Sequence, residues 1–144
     1  MDIRVYSELP QDVLNGVKEV HRLVFEGSEF KEKKLVGKPA FLAVVSFEDA
    51  FVTGFKFGYE HEDGVFYSWL GGVHPTFQGL GIASQLMLAQ HKEACQLGYK
   101  RIRTFSQNHR KTMMIANLKH GFDIVHTFVD EKGRHKIVFE KDLT

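Results

Sequence analysis

Residues 71–86 read GGVHPTFQGLGIASQL, four glycines and a proline standing directly in front of an amphipathic helix. A glycine-rich turn that opens a helix suits an anion, because unpaired backbone N–H groups and the positive end of the helix dipole point the same way. The stretch is entered from an apolar run bounded by glycines, GVFYSWLGGV at 64–73, which predicts a strand. The helix beyond it is expected from Ile82 to Leu97, stopped by Gly98, with Leu86, Ala89, Ala94 and Leu97 as its core positions. A further strand, YKRIRTFS at 99–106, follows. Strand, helix and strand in that order predict a parallel crossover.

Upstream, AFLAVVSF at 40–47 and AFVTGFKFGYE at 50–60 join GVFYSWLGGV through short turns near Glu48–Asp49 and at HEDG, 61–64. Turns of that length make an antiparallel meander. The chain opens with an alternating strand, IRVYS at 3–7, and a helix within 9–25 whose Val13, Val17, Val20 and Val24 recur every three or four residues. The polar segment EGSEFKEKKLVGKP at 26–39 leaves room for a second helix there. Downstream, a helix from Lys111 to His120 ends at Gly121, and FDIVHTFV with HKIVFEKDL form a hairpin around Glu131 to Arg134. The expectation is one α/β domain over 1–144. Its mixed, mostly antiparallel sheet has six or seven strands flanked by about four helices.

Composition narrows the ligand. Lys plus Arg (19) nearly balance Asp plus Glu (18), so the basic excess of a nucleic-acid or membrane-surface protein is missing. Neither nucleic acid nor membrane is expected as a partner, and the anion is expected to be small. The one cysteine, Cys95, cannot close an internal disulfide, and the first ten residues lack the pattern of a signal peptide, so the cytoplasm is the expected compartment. Cys95 sits mid-helix without the histidine partner of a nucleophile and reads as packing or surface. The eight histidines show no paired zinc-type spacing, and no metal is expected.

Three phosphate loops can be compared with the stretch. A Walker A loop needs Lys followed by Ser or Thr after its last glycine, and no Gly-Lys-Ser/Thr occurs. A Rossmann fingerprint needs G-x-G-x-x-G and a later carboxylate, where this chain has GLGIAS and then Arg103 or Thr104. The third pattern, Gln/Arg-x-x-Gly-x-Gly/Ala, is met by Gln78-Gly79-Leu80-Gly81-Ile82-Ala83. With GGVHP before it and HGF at 120–122 one strand and one helix later, the chain resembles the GNAT superfamily of N-acetyltransferases, specifically its small, mostly uncharacterised bacterial members.

The resemblance implies a sheet whose fourth and fifth strands are parallel and splay apart, with acetyl-coenzyme A in the gap. Gly72, Val73 and His74 would line its pantetheine end, and Gln78, Gly79, Leu80, Gly81, Ile82, Ala83 and Ser84 would hold its pyrophosphate. Gly71 and Gly72 suit a bulge that frees backbone groups from the ladder. The Val73 amide would then face the thioester carbonyl, where charge develops.

Two departures from the family pattern stand out. Relatives often carry a tyrosine acid four residues before the Gly-Phe pair, and this chain has Asn117 there, able to hydrogen-bond a sulfur or an amide but not to act as a general acid. Where relatives place an asparagine it has Arg110, so either Asn108 takes that role or Arg110 faces the phosphates.

Acetyl transfer to an amine also requires that the ammonium lose a proton. Glu29, in the segment after the first helix, and Glu60, at the end of the third strand, are the candidate bases. Tyr67 and Trp69 share a face by their spacing of two, with Tyr59 beside them. If that face opens to the cleft, these aromatics shape the acceptor pocket and Tyr67 replaces the missing acid. The expected activity is acetyl transfer to a small-molecule or peptide amine by direct attack on the thioester. The alternative is an acyl-coenzyme A sensor or scaffold without transfer. Family members often dimerise, so a homodimer is a further expectation.

Overall fold

The computed structural model describes all of residues 1–144. In chain order the elements are β1 (Asp2–Tyr6), α1 (Gln11–Val24), β2 (Leu42–Glu48), β3 (Phe51–Glu62), β4 (Val65–Val73), α2 (Ile82–Gln96), β5 (Arg101–Gln107), α3 (Lys111–Lys119), β6 (Asp123–Val129) and β7 (His135–Asp142). The second helix expected in the 26–39 segment is a single 3₁₀ turn, Glu32–Leu35. Its run of charges offers no apolar stripe to bury, and none of its residues is buried.

All seven strands form one sheet in the order β1-β2-β3-β4-β5-β7-β6. Every neighbouring pair is antiparallel except β4 and β5, which run parallel as the crossover predicts. Their pairing stops after three steps, Val65 with Arg101, Phe66 with Ile102 and Tyr67 with Arg103. A hydrogen bond from Thr104 Oγ1 to Ser68 O (3.0 Å) follows, and beyond it the two strands separate.

The helices cover opposite faces of the sheet. On one, α1 places Val13, Leu14, Val17 and Val20 against Ala43, Val45, Phe47, Phe55 and Phe57. Burial of side chains this size contributes about 1.5–3 kcal/mol each, which holds α1 to β2 and β3. Gly16 makes the approach close: a Cβ there would stand 2.5 Å from Val52 Cγ2. On the other face α2 buries Leu86, Met87 and Ala94 against the sheet, near Phe66, Ile102, Phe122, Ile137 and Phe139. Leu97, expected in that core, is 58% exposed because it lies past the last turn, where the chain leaves the sheet for Gly98. Cys95 is exposed.

The bulge in β4 is not at the paired glycines. Gly71 and Gly72 stay in register with Lys56 and Phe55, and the extra residue is Trp69, between Ser68 opposite Gly58 and Leu70 opposite Phe57. Across from it, Gly58 leaves room for Phe66, whose ring would stand 2.3 Å from any Cβ at that position. The edge strand β6 is exposed along its whole length, including Ile124, Val125, Phe128 and Val129. No helix is long and apolar enough to cross a membrane.

Candidate active site

The separation of β4 and β5 opens a cleft of about 590 Å³, walled by β3 and β4, the 77–84 turn, α2 and the start of α3. Its shape follows from local rules. His74 N–H donates to Thr53 O of β3 (2.8 Å). Successive N–H groups of a strand point to opposite sides, so those of Val73 and Gly71 face away from β3, into the gap. The turn is fastened by Gln78, whose Nε2 donates to Val73 O (3.1 Å). Gly79 and Gly81 both adopt left-handed backbone (φ 80° and 81°) with nothing crowding them, which brings the chain round to start α2. Gly81 is the N-cap of α2 and supplies no side-chain cap, and the first intrahelical bond there is Gln85 N to Gly81 O (3.1 Å). The N–H groups of Ile82, Ala83 and Ser84 are therefore uncapped donors at the cleft wall, at the positive end of a helix of 15 residues.

The charge of the wall is one-sided. His109, Arg110 and Lys111 at the start of α3, His120 at its end, and Lys56 on β3 all line the cleft, and no Asp or Glu does. Ser84 Oγ and His120 Nε2 are 3.0 Å apart, tying α2 to α3. The result is a basic, donor-rich mouth suited to phosphate and an amide-bearing inner wall suited to an extended chain.

Lys56 is the residue that sequence reading passed over. In GFKFG, 54–58, alternation puts Gly54, Lys56 and Gly58 on the α2 face, and Lys56 runs over Gly71, whose Cβ would meet its Cγ at 3.4 Å. A lysine between two buried phenylalanines was the available signal. It has neither salt bridge nor hydrogen bond through its side chain, and the loss of hydration around its ammonium brings its pKa down to about 8.

Deeper on the same face lies a cluster of polar groups. Lys141 Nζ donates to His91 Nδ1 (3.2 Å), and burial, with the nearby positive charges, drives the His91 pKa down to about 3, so the ring is neutral. Gln90 Nε2 donates to Phe57 O (3.3 Å) while its Oε1 has no partner. His91 Nε2, Ser106 Oγ and Asn117 Nδ2 are likewise buried without partners.

The other anticipated residues distribute as follows. Val73, Gly72, Gln78, Gly79, Gly81, Ile82, Ala83, Ser84 and Arg110 all line the cleft. Leu80 points outward at 66% exposure, and Asn108 is exposed outside the lining. His74 turns away to accept from Thr76 N–H (3.1 Å) and to pack edge-to-face with Phe51 and Phe77. Asn117 is buried beneath α3. Glu29 is exposed and does not reach the cleft. Glu60 accepts from Tyr99 Oη (3.1 Å). Tyr59, Tyr67 and Trp69 do meet, with ring centroids 5.3 and 5.7 Å from Tyr59. They stand beside the start of the gap and not in the cleft wall. Burial pushes the Tyr67 phenol up to about 12, so it stays protonated.

No protein-family profile matches the chain, and no curated protein matches it. Solved structures do. An aminoglycoside 6'-acetyltransferase type Ii superposes with a TM-score of 0.83 at 15% identity, over 100% of this chain and 98% of that one. An aminoglycoside 6'-N-acetyltransferase complexed with coenzyme A gives 0.80 at 14%, over 100% and 98%. A Desulfovibrio desulfuricans protein assigned to the GNAT acetyltransferases gives 0.78 at 16%, over 99% of this chain and 100% of that one. At these identities the likeness is one of architecture, and this chain, with its parallel β4–β5 pair parting over a glycine turn, has the fold of the GNAT superfamily.

Proposed function

We propose that the protein is an acetyl-coenzyme A-dependent N-acetyltransferase. The observation that carries this reading is the conjunction, in one cleft, of gap-facing strand amides, an uncapped α2 N-terminus behind two left-handed glycines, and a basic α3 N-terminus with no carboxylate among them. Coenzyme A presents a diphosphate at one end and a pantetheine chain with two amides at the other, and these residues suit both. Amides 82–84 would bind the diphosphate, with Arg110 and Lys111 screening its charge, and the Gly71 and Val73 amides would bind the extended arm. The bound thioester would supply an activated acetyl group.

The chain's own part is to hold that carbonyl, admit an amine and manage one proton. The Val73 amide is the donor we assign to the carbonyl oxygen, where a fixed N–H stabilises the charge that develops as nitrogen attacks. Asn117, whose unpartnered Nδ2 is buried outside the cleft lining, would donate toward the departing sulfur, without giving up a proton, only if α3 shifted to admit it. Tyr67, protonated throughout the neutral range but outside the cleft wall, would serve as the acid only if the thioester reached the start of the gap, and Glu29 would take the amine's proton only if the 26–39 segment closed over the acceptor. Isothermal titration with acetyl-coenzyme A tests the reading directly. Micromolar binding is expected, and no heat at high micromolar ligand would end it.

A second reading is supported by the absence of any carboxylate from the cleft wall and by Asn117 at the tyrosine position: an acyl-coenzyme A binder that performs no transfer. Release of free thiol across a panel of amines separates the two.

A further inference from the structure

Beside the start of the β4–β5 gap, on the α1 face, the ammonium of Lys38 sits 5.0 Å from the Tyr59 ring centroid and 5.2 Å from that of Trp69. The two rings stand nearly perpendicular (78°), and the ammonium lies over both. Lys38 has no carboxylate partner; its charge is matched only by the two π-systems. The segment that delivers it is pinned. Gly37 turns the chain in left-handed backbone (φ 76°), and Pro39 O accepts from Glu60 N–H (2.8 Å), so Lys38 is held over the rings by its neighbours. Tyr67 backs Tyr59 at 5.3 Å, Phe30 backs Trp69 at 6.3 Å, and burial keeps the Tyr59 phenol neutral. Trp69 is also the bulged residue of β4, next after the hydrogen bond at which β4 and β5 begin to part.

We infer that Tyr59 and Trp69 form a binding site for an alkylammonium group and that Lys38 is the chain's own occupant of it, displaced when a ligand binds. An ammonium over paired aromatic faces gains from the ring quadrupoles, and it gains more as water is excluded. This attraction is for the charged form. The nitrogen that attacks a thioester must be uncharged, so a site of this kind serves a second nitrogen of the same molecule. The class of ligand is therefore an amine carrying at least two positive charges, one kept in the cage and one that loses its proton. Calling that ligand the acceptor rests on the acetyl-transfer reading; the cage itself rests on ring geometry alone.

Trp69 is the only tryptophan, so its emission reports on the site without labelling. Titration of the intact protein with tetramethylammonium and with 1,4-diaminobutane is expected to change that emission saturably, while 1,4-butanediol, of similar size and no charge, leaves it unchanged. Lys38→Ala removes the internal competitor and is expected to tighten both ammonium probes about fivefold, and Tyr59→Leu to weaken them at least as much, with thermal melts confirming that both variants fold. A flat response in both wild type and Lys38→Ala, or an equal response to the diol, overturns the cage. Saturable binding that Lys38→Ala does not tighten overturns the role given to Lys38. Coenzyme binding measured separately keeps the two readings apart. If the ammonium response persists in a protein that does not bind acetyl-coenzyme A, the transferase reading falls and the cage stands; if coenzyme binds and no ammonium probe does, the cage falls alone.

Discussion

Beneath α1 the buried histidine, His21, has its Nδ1 3.0 Å from Ser28 O and packs among Phe25, Phe30 and Phe55; beneath α2 and α3, Gln90, His91, Ser106 and Asn117 each keep a buried polar atom without a partner, and Lys56 is a half-buried cation on the cleft wall without a counter-ion. The same sheet supports both faces, so the difference lies in what each is for. An orphaned buried donor or acceptor costs about 1–3 kcal/mol, and a core selected only for stability would have replaced these groups with apolar ones. The α1 face supplies the stability from which the other face draws. The unpartnered groups lie on the face that carries the cleft, buried behind its wall and not part of its lining.

The largest break in this comparison should come from the α1 face. Phe57→Ala, at a fully buried ring packed on Phe30, Phe41 and Phe55, is expected to lose about 3–5 kcal/mol in urea unfolding and to leave the pH dependence of stability unchanged. On the other face the effects should be titratable. Folded His91 stays neutral down to about pH 3, while the unfolded chain protonates it near 6.5. The unfolded state therefore binds more protons between those values, and stability falls as pH falls through that window, by about 2 kcal/mol at pH 5. His91→Phe, which cannot titrate, should flatten that acid limb in a series of thermal melts.

Lys56 has a slope of the same sign in an alkaline window. It releases its proton at about pH 8 in the folded state and near 10.5 in the unfolded one, so stability rises with pH between those values, by about 1 kcal/mol from pH 7 to 9. Lys56→Met should abolish that rise and unfold at higher denaturant than wild type at pH 7, an outcome that an ordinary surface lysine would not give. The smallest change in stability is expected at Gly81→Ala, about 1 kcal/mol from the left-handed backbone alone. There calorimetry should show coenzyme affinity falling further than stability does.

Much of this architecture can be read from residue order. The strand–turn–helix–strand unit from 65 to 106 carries its own markers in Gly71, Gly72, Gly79, Gly81 and Gly98, and the observed parallel pair follows from them. The bulge was less legible because two competing causes favour different positions. Glycines permit one at 71–72, but packing of Trp69 against Phe30 and Phe57 on one face, with Phe66 filling the space over Gly58 on the other, places it two residues earlier. Lys56 was hidden by its residue type, since an isolated lysine in a strand reads as a solvent position until the glycine opposite it is known to leave the space it crosses. His74 was misleading for a local reason: its ring is used at once by Thr76 N–H and by two phenylalanines.

The short pairing of β4 with β5 has a consequence for proton exchange. Central strands ordinarily protect their amides longest, because exposing them requires global opening. Gly71 and Val73 lie in the fourth strand of seven, yet their N–H groups face a gap and not a neighbouring strand. In the free protein they should exchange with solvent as quickly as amides at a sheet edge, while Gly72 and His74, bonded to β3, remain slow. The middle of this sheet would then exchange in alternation, residue by residue, along a single strand.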